Sequence, residues 1–125
     1  MSLSCLQNRN EIIIARSPSC FGRAFLDHAR SFDPLFIEAG ATRVVETWGD
    51  DVAEGKVTDF RRAVRATPDE TVVFAWVEWP DKATRDAGVR KMMEDPRMDP
   101  ANNPMPFDGK RMIFGGFETL LDLGR

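Results

Sequence analysis

The chain has 125 residues, 42% of them apolar and 30% charged, a balance that is typical of one folded domain with its own core. The net charge of −3 argues against a dedicated nucleic-acid surface, because phosphate binding relies on clustered lysine and arginine side chains. The longest apolar run near the start, residues 12–15, is too short for a signal peptide or a membrane span. We therefore expect a cytoplasmic protein without a membrane or nucleic-acid partner.

Four segments have the β-branched and aromatic composition of strands, and two longer segments between them have helical spacing. The predicted strands are residues 11–16, 42–48, 71–79 and 111–118. The order β-α-β-β-α-β predicts an α+β fold of the ferredoxin-like type, in which two helices lie on one face of a four-stranded antiparallel sheet. Residues 1–125 are thus interpreted as a single ferredoxin-like domain.

Helix boundaries follow from capping residues and prolines. The first helix begins near Phe21 and ends at Gly40, which can take the left-handed conformation after a helix. Pro34 removes one helical hydrogen bond, so we expect a kink near Arg30. Asp81 is the predicted cap of the second helix, which stops before Pro96.

Two connections are longer than the topology requires, residues 49–70 and 96–110, and such loops often cover binding sites. The first is predicted to contain a short helix with Thr58 as its cap and with Phe60 and Val64 facing inward. Its arginines and carboxylates are interpreted as a solvated face, caps and turns, and no metal is predicted. These charged residues are Arg61, Arg62, Arg65, Asp50, Asp51, Glu54 and Asp59.

The third strand is apolar on both faces. One face carries Val72, Phe74 and Trp76, and the other carries Val73, Ala75, Val77 and Trp79. The fourth strand repeats this pattern. Two helices can cover only one face of the sheet, so the other face predicts a homodimer through the sheet. The alternative is an exposed ligand-binding face on a monomer.

The candidate site is a pocket between the sheet and the helices, with aromatic and apolar walls and a few polar groups. Its predicted walls are Phe25, Trp48, Phe74, Trp76, Met112 and Phe114. Its polar groups, weak candidates for catalysis, are His28, Glu46 and Arg111, of which His28 is the single histidine of the chain. The same composition is typical of an ordinary core, so the residues leave both interpretations open.

Several motifs carry a resemblance to a known family. They are Gly40-Ala41, VETWGDDV (45–52), GKVTDF (55–60), DETVVFAW (69–76), RDA (85–87) and MPFDGKRMIFGGF (105–117). Together they resemble the bacterial DUF1428 family over residues 18–123. The resemblance implies the dimeric α/β-barrel fold, a homodimer and a cytoplasmic bacterial origin, but it implies no reaction.

The first twenty residues depart from the family, whose strand one resembles Tyr-Val-Asp-Gly-Phe followed by valines. Here residues 9–16 read RNEIIIAR. The start Met1-Ser2-Leu3 is interpreted as residues added for recombinant expression.

Three hypotheses of function follow. The first is a dimer that binds a small apolar or aromatic ligand, with residues 49–68 and 105–110 covering the pocket and with no cofactor. The second is a cofactor-independent oxygenase or isomerase-like enzyme, an analogy from the fold alone. The third is a structural dimer without a ligand.

Overall fold

The computed structural model describes residues 8–16, 23–99, 101–102 and 109–124, with the backbone alone for the first of these ranges. Its elements are β1 (Asn8–Arg16), α1 (Arg23–Phe32), α2 (Pro34–Glu38), β2 (Arg43–Trp48), α3 (Phe60–Ala63), β3 (Thr71–Trp79), α4 (Lys82–Met93) and β4 (Ile113–Glu118). Residues 1–7 and 17–22 of the atypical N-terminus and most of the predicted covering loop 105–110 lie outside the described residues.

The four strands form one antiparallel sheet in the order β2-β3-β1-β4. Helices α1, α2 and α4 lie on one side of it, because Phe25 of α1 packs on Val73, and Phe36 of α2 and Val89 of α4 pack in the cluster around Trp79. The prediction of a ferredoxin-like α+β fold is confirmed in this arrangement.

Strand β3 has two different apolar faces, as its sequence predicts. Val73, Val77 and Trp79 are at most 2% exposed beneath the helices, which define the helix side of the sheet. Phe74 and Trp76 are only partly buried on the opposite side, which we call the open face. Helix α3 covers one end of the open face, where Val64 packs on Val72.

The predicted kink in the first helix is a break, and it lies at Asp33 rather than near Arg30. The amide of Asp33 still donates to the carbonyl of Ala29 at 2.8 Å, so α1 keeps its last hydrogen bond. The missing N–H is that of Pro34, which begins α2. Gly40 follows α2 with φ of +116°, the left-handed conformation expected after this helix.

The cap of α3 is Asp59 and not Thr58. The Asp59 carboxylate accepts from the backbone N–H of Arg62 at 2.7 Å and of Gly55 at 3.1 Å, so it holds the loop as well as the helix. These two backbone bonds lower the pKa of Asp59 to about 2. The cap of α4 is Asp81, as predicted, which accepts from the backbone N–H of Thr84 at 2.7 Å.

The arginines of α3 bind loop carbonyls. Arg61 donates to the carbonyls of Glu70 at 2.8 Å and Thr67 at 2.6 Å, and Arg62 donates to the carbonyl of Val57 at 3.2 Å. These side chains therefore fasten the connection between β2 and β3 over the open face, and not over the pocket that was predicted between the sheet and the helices.

Candidate functional site

Three of the six predicted wall residues come together on the helix side. Phe25, Trp48 and Met112 form one cluster around Val73. The rings of Phe25 and Trp48 have centroids 6.0 Å apart and are tilted by 51°. Phe114 is on the same side by its register with β1, but it is 74% exposed.

The other two predicted wall residues lie on the open face, so the six do not form one pocket. Phe74 and Trp76 alternate with Val73 and Ala75 along β3, and successive side chains of a strand point to opposite faces. Phe74 joins an aromatic row instead, with ring centroids 6.2 Å from Phe60 and 6.0 Å from Trp76. We call these three residues the aromatic row.

The aromatic row ends at a buried carboxylate. Glu78 is 4% exposed, and its Oε2 accepts from the indole N–H of Trp76 at 3.0 Å and from Arg43 at 3.4 Å. The orientation of Trp76 on the open face is thus fixed by a hydrogen bond as well as by its neighbouring ring.

Arg111 does not join the other polar candidates. Its guanidinium donates to both carboxylate oxygens of Glu70, at 2.7 and 2.6 Å, and to the carbonyl of Arg65 at 2.9 Å. The Arg111 guanidinium and then the backbone N–H of Thr67 lower the pKa of Glu70 to about 2. Arg111 therefore links the start of β4 to the loop before β3.

Glu46 faces a residue that the sequence did not single out, Asp33 at the break between α1 and α2. Asp33 is at the N-cap position of α2, but its backbone is helical and its side chain makes no capping bond. Asp33 lines the same groove as Glu46 of β2 and is the neighbouring group that acts on the pKa of Glu46. We call these two residues the carboxyl pair.

The pKa of Glu46 lies well above that of an ordinary carboxyl group. Burial first, then the hydrogen bond to Asp33 and its negative charge, raise the pKa of Glu46 to about 9. Burial also raises the pKa of Asp33, while its hydrogen bond to Glu46 and the charge of His28 act in the opposite direction. A pair with one proton offers an O–H donor and an anionic acceptor side by side.

His28 is the predicted polar residue of α1. It lies one turn of α1 before Phe32, and the two rings are stacked with centroids 5.0 Å apart. Its charge lowers the pKa of Asp33, so His28 lies near the carboxyl pair. The sequence did contain a signal for Asp33. Asp33-Pro34 marks a break in the helix, where the Asp33 side chain is free to face another element.

The carboxyl pair lines a groove of about 760 Å³ that is open to solvent along the edge strand β2. Its apolar walls are Leu26, Ala29, Pro34, Ile37 and Val44, and its charged groups besides the pair are Arg30 and Glu38. We call this the edge groove. Apolar walls with a few placed polar groups are the usual composition of a small-molecule site.

No group of three or more histidine, cysteine or acidic side chains close enough to hold a metal ion occurs in the part of the chain that the structure describes. In the same residues, no helix has both the length and the apolar character needed to cross a membrane.

The sequence matches the family model described as "Protein of unknown function (DUF1428)" over residues 12–109. It is also similar to the uncharacterized protein YbaA of Escherichia coli K12, with 57% identity over 99 residues, which are 79% of this chain and 85% of the relative. The YbaA proteins of Escherichia coli O157:H7 and Shigella flexneri match with the same identity and coverage.

Among solved structures, the chain is similar to a dimeric ferredoxin-like protein from an uncultured marine organism, whose crystal structure has 1.85 Å resolution. The two chains superpose with a TM-score of 0.52 over 94% of this chain and 99% of the other, at 9% sequence identity. The likeness at this identity is one of fold.

Proposed function

We propose, from the premise that the chain belongs to the DUF1428 family, that it acts as a homodimer in which each subunit binds a small apolar or aromatic molecule between its helices and its sheet. The edge groove carries this proposal, because it combines apolar walls with the donor and acceptor of the carboxyl pair. Of the predicted residues, Glu46 lines the edge groove.

Within the site, the cluster of Phe25, Trp48 and Met112 forms the packed region next to Glu46 along β2. Trp48 and Glu46 are two residues apart on one strand, so both face the helices. An aromatic ligand in the edge groove would therefore lie near an aromatic surface as well as near a proton donor.

The dimer is proposed through the open face, with the two sheets packed against each other as in a dimeric α/β barrel. Two observations support it: the fold neighbour is dimeric, and the open face carries the aromatic row with Ile113 and Phe117, which are 42% and 53% exposed. Apolar patches of this kind on a sheet face mark interaction surfaces. Phe74 and Trp76 are thereby assigned to the interface and not to the ligand.

Ligand binding is tested by thermal-shift screening against phenols, quinones and short carbonyl compounds. A ligand at about 100 times its dissociation constant should add roughly 2.7 kcal/mol of stability. The variant Leu26→Trp fills the edge groove and should abolish the shift, whereas Met93→Trp, at an exposed position of α4, should retain it.

No shift across the panel would contradict ligand binding and favour a structural dimer. A shift that survives Leu26→Trp would place the ligand elsewhere. Light scattering on the same samples should give the mass of two chains, and a monomeric mass at micromolar concentration would contradict the dimer.

A further inference from the structure

The segment after β4 is the most exposed apolar stretch in the part of the chain that the structure describes. Residues 119–124 belong to no helix or strand, and Leu120, Leu121 and Leu123 are 91%, 73% and 80% exposed. Single exposed leucines are ordinary on a protein surface, but three within four positions are a contiguous patch that favours burial. We call residues 119–124 the arm.

The arm continues directly from the open face. Strand β4 lies at one edge of the sheet and pairs only with β1 among the described strands. Its residues Ile113 and Phe117 are exposed on the open face, and the arm begins two residues after Phe117. Only Glu118 and Thr119 separate Phe117 on the proposed dimer face from the leucines of the arm.

The arm would enlarge the interface beyond the open face. On that face Phe60, Ile113 and Phe117 are 47%, 42% and 53% exposed, whereas Phe74 and Trp76 are partly buried. A standard interface buries about 800 Å² on each partner, and the leucines of the arm are described apolar surface next to this face that can add to it.

The arm is also long enough to cross a neighbouring sheet. Six extended residues span about 20 Å, whereas four strands spaced by about 4.8 Å are roughly 14 Å across. The arm carries one acidic side chain, Asp122, among its leucines, so it can lie on an apolar surface with Asp122 at the rim.

We infer that the arm of each subunit crosses to a second copy of this chain and packs its leucines on the partner's aromatic row, so that the two arms clasp the dimer. The inference rests on the homodimer of the proposed function and names the segment that completes its interface. It also adds to the cover that the sheet-face dimer gives the partly exposed rings of the partner's Phe60, Phe74 and Trp76.

The test compares two double variants that each remove two equally exposed apolar side chains. Leu120→Ser/Leu123→Ser acts on the arm, where the side chains are 91% and 80% exposed, and Val57→Ser/Met93→Ser is the control, at 92% and 78%. Each dimer loses four leucines in the first case, so its dissociation constant in analytical ultracentrifugation should rise about 100-fold. The control should stay within about twofold of the wild type.

Acrylamide quenching of tryptophan fluorescence gives the second readout, because Trp76 lies on the open face whereas Trp79 is fully buried. Quenching should increase in the arm variant at concentrations where the wild type is dimeric. If the variant is more strongly quenched at every concentration and keeps the wild-type dissociation constant, the arm covers its own sheet and the inference is overturned.

A third variant, Ile113→Lys, separates this inference from the proposed dimer. If Ile113→Lys is monomeric and the arm variant dimerises like the wild type, the sheet-face dimer stands and the arm has no part in it. If both remain dimeric with wild-type affinity, the proposed sheet-face dimer fails, and the clasp fails with it.

Discussion

Among the carboxyl groups that the structure describes, Glu46 departs furthest from the chemistry of an ordinary surface carboxyl. It lies half-buried on β2, where water is partly replaced by apolar side chains and by the carboxyl of Asp33. Both neighbours disfavour its negative charge, so the folded protein holds a proton that the unfolded chain would release. Glu46 can therefore donate a proton in the folded protein, and its position lowers the free energy of unfolding.

This proton makes stability depend on pH in a defined direction. The pKa of Glu46 rises from 4.5 to about 9 on folding, so its stabilising contribution is complete below pH 4.5 and is lost as the pH rises toward 9. Glu46→Gln should flatten this slope and raise the free energy of unfolding near pH 9 by on the order of 1 kcal/mol, the partial exposure of the side chain limiting the gain.

Urea unfolding of the two proteins across this pH range measures the effect. Glu54→Gln, at an exposed loop position, serves as the matched control and should keep the wild-type slope. A Glu46→Gln variant that loses stability in parallel with the wild type as the pH rises would show that the carboxyl pair is fully ionised.

At the scale of elements, α4 is held to the sheet by a close contact between a glycine and a tryptophan. A Cβ atom at Gly88 would lie 2.5 Å from Cζ3 of Trp79 and 2.8 Å from the carbonyl oxygen of Ala39. Trp79 is fully buried, and the Ala39 oxygen is backbone, so neither neighbour can move away easily. The helix thus approaches the sheet at a distance that only glycine permits.

Gly88→Ala sets two effects against each other. Alanine favours a helix interior by about 1 kcal/mol over glycine, whereas overpacking costs about 1–3 kcal/mol. With a rigid backbone oxygen in the way, we expect overpacking at the upper end of this range, about 2–3 kcal/mol, so that the variant loses about 1–2 kcal/mol in urea unfolding.

Gly109→Ala is the control, because nothing lies within 4 Å of a Cβ atom at that position. It should change stability by less than about 0.5 kcal/mol. Wild-type stability of Gly88→Ala would mean that α4 shifts freely on the sheet.

Elements governed by neighbouring residues were predictable from the sequence. The alternation of Val73 and Phe74 predicts two faces for β3, and Asp81 predicts the start of α4, because strand periodicity and capping are local properties. The cap of α3 was misplaced by one position because Thr58 and Asp59 can both cap a helix, and only the loop geometry around Gly55 selects Asp59.

Contacts between distant segments were not predictable in the same way. Trp48 and Phe74 were assigned to one pocket, but the register that pairs Trp48 with Val73 places them on opposite sides of the sheet. Asp33 was missed because its partner lies on another element, and the sequence around Pro34 shows a break without showing what the freed carboxyl meets.

For the whole molecule, the two sides of the sheet are proposed to serve different purposes, ligand binding on the helix side and association on the open face. Neighbouring residues of β4 test this division, because Ile113 faces the open side and Phe114 the helix side, and both are exposed in a single subunit. The two residues are adjacent in β4, but their side chains lie on opposite sides of the sheet.

Ile113→Lys should convert the dimer to a monomer at micromolar concentration, because it places an uncompensated charge in the proposed interface. A rise of the dimer dissociation constant by about 100-fold or more is expected in sedimentation velocity. Phe114→Lys should leave the dimer intact. A dimer that is broken by Phe114→Lys and tolerates Ile113→Lys would place the interface on the helix side.

The opposite faces of β3 also determine which changes in chain length the gene can tolerate. Deleting one codon within residues 72–78 would exchange the two faces for the rest of the strand, moving open-face rings beneath the helices and core valines toward the partner. A single deletion there would damage the core, the edge groove and the association surface together. Codon-deletion scanning of this gene should therefore show that no single residue of 72–78 can be deleted. Conservative substitutions at the same positions should be tolerated.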